Sequence, residues 1–197
     1  MLGQLPKTLQ INGKSYEIRT DYRNILRIFE AFADDSLSDK EKMLVCLQRM
    51  FVHFRSIPYD DYKEAYERVY WFIGCGKPEE KRPPVRAFNW VKDEPLMFPA
   101  VNKAAGIEVR SVPYMHWWTF MGFFESIDPD SLFGTVLSIR QKKARGKKLE
   151  KYEREFMNNN KALMALDIET AKPKTAEEKL LDMFNDLISD DDSEGGE

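Results

Sequence analysis

Along the chain the spacing of apolar positions changes once, from a period of two to a period of three to four. Leu9-Gln10-Ile11, then Asn12-Gly13, then Lys14 to Arg19 reads as a β-hairpin. Asn-Gly supplies the two positive φ angles of a type I′ turn, and Tyr16 and Ile18 alternate toward a core. From there the period is helical. Tyr22, Ile25, Leu26, Phe29 and Phe32 or Ala33 recur at i, i+3, i+4 and i+7 behind Thr20 or Asp21 as N-cap. Ser38-Asp39-Lys40-Glu41 is a capping box, which opens a second helix with Met43, Leu44, Leu47, Met50, Phe51 and Phe54 as its stripe. Asp60 or Asp61 caps a third helix, with Tyr62, Ala65, Tyr66, Val69, Phe72 and Ile73 on one face and Gly74 and Gly76 at its end.

The second half begins with a charged, proline-bearing linker over 77–89. Asp93-Glu94-Pro95 starts a helix in which Pro99 predicts two short pieces, stopped by Gly106. Helices are expected from Tyr114 to Ser126 and again from Asp128-Pro129-Asp130. Gly146 should break the latter. At about 100° per residue, Phe133, Val136 and Leu137 share a face that Leu149, Tyr152 and Phe156 do not. Lys147, Lys151 and Arg154 are expected opposite those last three, on a solvated face. Asn158-Asn159-Asn160 is a loop or a frayed end. The fold predicted is mainly α: a multi-helix single domain over 1–167 with a small N-terminal β-hairpin. A linker over 168–174, an amphipathic helix over 175–188 and a disordered acidic tail over 189–197 follow.

Composition supports a folded chain. In 197 residues, 43% hydrophobic and 13% aromatic content excludes a wholly disordered polymer. The net charge of −3 conceals a split, because residues 175–197 hold nine acids and one lysine. The opening residues carry no apolar signal-peptide region, so none is expected. The richest apolar stretch, Trp117 to Phe124, falls far short of the ~20 residues that span a bilayer. Two cysteines make no disulfide framework: Cys46 reads as a small buried hydrophobe and Cys75 as part of a turn, in a reducing cytosol.

Candidate chemistry is sparse. His53 and His116 stand in no metal-spaced cluster, and His53, after a helical stripe, reads as a satisfied structural histidine. No phosphate-cradling glycine loop and no nucleophile elbow occur, so a non-enzymatic chain without cofactor is expected. His116-Trp117-Trp118-Thr119-Phe120-Met121-Gly122-Phe123-Phe124 is either an exposed aromatic platform or, the favoured reading, a helix buried on most sides. Eight cations lie between Arg140 and Arg154, among them Arg140, Lys143, Lys147 and Lys151. They form a nucleic-acid surface, a solvated helix face, or a docking site for acidic partners that include the chain's own C-terminal segment. The solvated face is the preferred reading and nucleic acid the lesser one. Leu180, Leu181, Phe184, Leu187 and Ile188 form the apolar stripe of the last helix and complete the candidate partner-binding set.

Asp93, the step Gly106-Ile107-Glu108, the pair His116-Trp117 and the run Ile139-Arg140-Gln141-Lys142-Lys143 stand in a distinctive order. That order resembles a family of tailed-bacteriophage proteins from the tail module of long-tailed siphophages, held to act as tail assembly chaperones. Glu108 stands where aspartate is frequent, and Pro95 and Pro99 interrupt a helix that relatives keep continuous. The resemblance implies no catalytic residues. It implies a factor of the host bacterial cytoplasm, absent from the mature virion, with the tape-measure protein and tail-tube protein as partners. Self-association into a homo-oligomer is a further expectation, and a minor structural tail component is the alternative role.

Overall fold

The computed structural model describes residues 3–77 and 87–166. The linker 168–174, the helix 175–188 with Leu180, Leu181, Phe184, Leu187 and Ile188, and the acidic end 189–197 lie outside the described residues, as does most of the proline-bearing linker. The described chain packs as two units, the first formed by 3–77 with 116–118 and the second by 87–115 with 119–166.

The first unit opens with strands β1 (Thr8–Ile11) and β2 (Lys14–Glu17), antiparallel with Leu9 opposite Tyr16 and Ile11 opposite Lys14. Asn12 and Gly13 have φ of 46° and 71°, the left-handed pair that a type I′ turn requires. Leu9, Ile11 and Ile18 are buried and Tyr16 is half-buried. Helix α1 (Tyr22–Phe32) is capped by Asp21, whose carboxylate accepts from Arg23 N–H at 2.9 Å. Its inward face is Tyr22, Ile25 and Ile28, one step around from the expected stripe, and leaves Leu26 and Phe29 half-buried. Helix α2 (Asp39–Met50) begins with the expected capping box: Ser38 N–H donates to Glu41 and Glu41 N–H donates to Ser38 Oγ.

α2 ends earlier than its stripe suggested. Phe51 is extended and bridges to Ile18, so Phe54 falls in a separate 3₁₀ turn (Phe54–Ser56) and Leu44 faces outward. His53, read from sequence as a satisfied structural histidine, is exposed beyond the end of α2. The carbonyls at and just beyond the end of α2 receive the Arg19 guanidinium, which donates to the oxygens of Gln48, Arg49, Phe51 and Val52. Helix α3 (Tyr62–Ile73) buries Ala65, Val69 and Phe72. Its end closes as a Schellman turn, with Cys75 N–H on Phe72 O and Gly76 N–H on Trp71 O, which puts Cys75 at φ 57°.

The second unit contains helices α4 (Glu94–Ala105), α5 (Trp117–Glu125, whose first two residues belong to the first unit), α6 (Leu132–Ala144), α7 (Lys151–Asn159) and α8 (Lys161–Met164). α4 is one continuous helix, not two pieces. Pro99 forfeits a single intrahelical bond while Met97, Phe98, Ala100 and Val101 around it are buried, so packing holds the turn that proline weakens. α5 starts at Trp117 rather than Tyr114, since the chain before it is extended after the 3₁₀ turn Val109–Ser111. Ser131 caps α6, its hydroxyl accepting from Gly134 N–H at 3.0 Å. Asp128, where the helix was expected to start, builds the preceding turn by accepting from Asp130 N–H. The break at Gly146 is present. Gly146 at φ 64° donates to Lys143 O and Lys147 N–H donates to Lys142 O, a second Schellman turn. The short helix α8 had no counterpart in the expected elements. Phe88, Trp90, Phe124 and Phe133 pack around one another with centroids 4.8–5.9 Å apart.

Candidate functional site

In the first unit the residues offered as an aromatic platform serve as caps. His116 is buried, and its Nδ1 accepts from Trp118 N–H at 3.0 Å, on the first turn of α5. Its Nε2 lies 3.0 Å from Pro6 O, so an Nε2–H tautomer satisfies both ring nitrogens. Burial is the main cause that holds the imidazole below its ordinary pKa, with the nearby Lys7 charge acting in the same direction. Trp117 is 1% exposed and its indole N–H donates to Ile73 O at 2.8 Å. The Trp118 indole donates to Phe72 O at 2.8 Å. Side chains more than forty residues away thus bind the end of α3: Trp117 takes the Ile73 carbonyl, and Trp118 shares the Phe72 carbonyl with Cys75 N–H. The buried-helix expectation holds for Trp117 and Phe120, while Trp118, against Trp71, and Phe123 and Phe124 are half-buried.

In the second unit the basic run divides by burial. Arg140, grouped with the solvated cations from sequence, is buried: its side chain is 4% exposed and that of Asp93 3%. The guanidinium grips the carboxylate with both ends, Nη1 to Oδ2 at 2.6 Å and Nη2 to Oδ1 at 3.0 Å. It also donates to Ala87 O at 3.2 Å and to Leu163 O. Asp93 Oδ2 accepts in addition from Asn89 N–H, so the pair joins the start of α4, the middle of α6 and α8. Arg140 is therefore part of the interior and not of a partner surface. One atom of it, Nε, is buried with no hydrogen-bond partner among the described residues.

Lys142 is drawn off in the same way. Its Nζ lies 2.5 Å from Glu153 Oε1, and the other Glu153 oxygen accepts from Glu150 N–H at 2.8 Å. The bond to Lys142 is the main reason that Glu153 is held below the ordinary carboxylate range, and the same bond raises Lys142. What remains outside is Lys143, Arg145, Lys147, Lys148, Lys151 and Arg154, all exposed. Tyr152 is 65% exposed, not inward as expected. Leu149 precedes α7 instead of lying on it, which rotates the register, and Glu153 with half-buried Phe156 and Met157 takes the inner face.

Spacing could have found Arg140. Phe133, Val136 and Arg140 stand at i, i+3 and i+7, so the cation lies on the apolar stripe and needs a buried acid. Which acid was not legible, because Asp93 is 47 residues away in the chain. Glu108 is also spent locally. It accepts from Arg110 N–H and Nε and from Asn102 Nδ2, and the Arg110 bond is the first cause that brings its carboxyl to about 2. Among the described residues no group of His, Cys, Asp or Glu is placed to hold a metal ion, and no helix is long and apolar enough to cross a membrane.

The signature positions Asp93, Glu108, His116, Trp117 and Arg140 are thus the polar fastenings of the two units. A family model described as "Bacteriophage Gp15 protein" matches residues 1–166. The chain belongs to that family. No curated protein and no solved structure matches it. The Gp15 match covers the fastenings and the basic run, whereas the apolar candidates Leu180 to Ile188 follow its last residue.

Proposed function

We propose that this Gp15-family protein is a non-enzymatic tail assembly chaperone that binds the tape-measure protein, tail-tube subunits or both while the phage tail assembles. The observation that carries this reading is where the polar signature goes. Asp93 and Arg140 close on each other, Glu108 closes on Arg110 and Asn102, and His116 caps a helix. Groups committed to the fold in this way leave recognition to the surface, where six cations and Tyr152 stand together. A tape measure is a long helical chain whose apolar stripes need cover until tube subunits arrive. The stripe Leu180, Leu181, Phe184, Leu187 and Ile188 supplies such cover as an amphipathic helix, and repeated weak contacts give avidity that later displacement can undo.

The chaperone acts in the host bacterial cytoplasm and leaves before the virion is complete. Co-expression with the tape-measure protein of the same phage, followed by size-exclusion chromatography, tests the reading. Co-elution is expected, and separate elution of two soluble proteins would refute it. Its presence in purified virions, read by mass spectrometry, would favour a minor structural tail component instead. The six exposed cations favour one further reading, a nucleic-acid-binding factor. That reading requires affinity for a duplex oligonucleotide that falls steeply with salt, and no binding at low salt removes it.

A further inference from the structure

We propose that the cationic surface at the end of α6 and the start of α7 is a docking face for the chain's own acidic C-terminal segment, residues 177–197. Three observations point to this occupant. The first is composition by burial. Of the eight cations from Arg140 to Arg154, two are engaged with Asp93 and Glu153, and the other six are exposed around one chain reversal. The Schellman turn at Gly146 brings Lys143, Arg145, Lys147 and Lys148 together at the carboxyl end of α6, where cations are favoured by the helix dipole. Lys151 and Arg154 continue the surface along α7, with Lys151 only 4.0 Å from Glu155 as a local counter-charge.

The second is where the described chain ends. Leu163 in α8 accepts from Arg140, so α8 is fastened to α6, the helix at whose carboxyl end the cations begin. The chain continues from Leu166, two residues beyond α8. Glu177 follows eleven residues later, an extended reach of up to roughly 36–40 Å. The tether thus begins on the element bound to the surface it would serve. The third is charge. Nine carboxylates against one lysine in 175–197 complement six exposed cations. A short tether raises the effective concentration of that segment to the order of millimolar, enough for weak ionic contacts to be occupied.

A functional consequence follows from the overlap of the two patterns. Leu180, Leu181, Phe184, Leu187 and Ile188 alternate with Glu177, Glu178, Asp182 and Asp186 in one segment. A partner that takes the apolar stripe therefore also withdraws carboxylates from the cations.

Zero-length carbodiimide crosslinking of the intact chain, mapped by mass spectrometry, tests the contact. At ~50 mM salt, intrachain links should join Lys143, Lys147, Lys148 or Lys151 to carboxylates of 177–197, and they should vanish at ~1 M, where the Debye length is about 3 Å. Links spread evenly over lysines of both units, or joining two chains, would overturn the proposal. A second arm uses anisotropy of a labelled 20-residue oligothymidylate with the intact chain carrying D190N, D191N, D192N and E194Q. Affinity should rise about tenfold or more over the unaltered chain at ~50 mM salt, and adding K147S, K148S and K151S should erase the gain. No gain, or a gain that survives removal of those lysines, would show that this surface is not the one covered.

Discussion

Replacing Asp93 by asparagine tests how the second unit is held. The substitution keeps the shape of the side chain but removes its charge and turns one acceptor into a donor that faces a guanidinium. Both partners are nearly inaccessible, 3% and 4% exposed, and are joined at 2.6 and 3.0 Å. Breaking a buried pair by deleting one member leaves an uncompensated charge and costs about 3–5 kcal/mol. Against a typical total of 5–15 kcal/mol for a domain, that is a large share. Arg140→Met should cost a similar amount, since it leaves the Asp93 carboxylate with Asn89 N–H as its remaining neighbour described above. The double variant D93N/R140M removes both charges while methionine refills the stem, so its cost should fall short of the sum by about 1–3 kcal/mol. Urea unfolding followed by far-UV circular dichroism, with the m-value checked for constancy, gives all three numbers. A single-variant cost under ~1 kcal/mol, or a coupling of zero, would refute the argument that this pair fastens α4 to α6.

Two glycines should respond with opposite sign to alanine. Gly122 has open space where a Cβ would go, so Gly122→Ala should stabilise α5 by about 0.5–1 kcal/mol. Gly134 would place a Cβ 2.6 Å from the carbonyls of Asp128 and Pro129, so Gly134→Ala should destabilise by about 1–3 kcal/mol, both read from thermal melts. Trp117→Ala should cost about 3–5 kcal/mol, while Tyr152→Ser should stay within about 0.5 kcal/mol; equal effects would contradict the burial difference. His116 is held neutral in the folded state below its ordinary pKa, so the unfolded chain takes up the proton first. Stability is therefore present above about pH 6.5 and declines as pH falls through it, and His116→Asn should flatten that decline in urea midpoints. Cys46 is buried and its thiol is pushed up to about 12, whereas Cys75 is half-buried, so Ellman's reagent should titrate Cys75 well before Cys46 in the folded protein.

Features closed within three or four residues were legible from sequence. The Asn12-Gly13 turn, the Ser38–Glu41 capping box and the break at Gly146 all formed as read, because their hydrogen bonds join near neighbours whose chemistry is visible side by side. Whole helices were legible as well, since a periodic stripe needs only its own spacing to declare a buried face. The membership of each face was not. Ile28 displaced Leu26, Tyr152 turned outward and Glu153 inward, and Pro99 stayed inside an unbroken helix, each decided by what packs on the other side. The candidate site divided along the same line. Sequence determined that six to eight cations lie together near Gly146, because a run of lysines needs no partner to be seen. Only the tertiary structure decided that Arg140 belongs to Asp93 and Lys142 to Glu153, because a buried charge must find its counter-ion across space and the chain does not announce where.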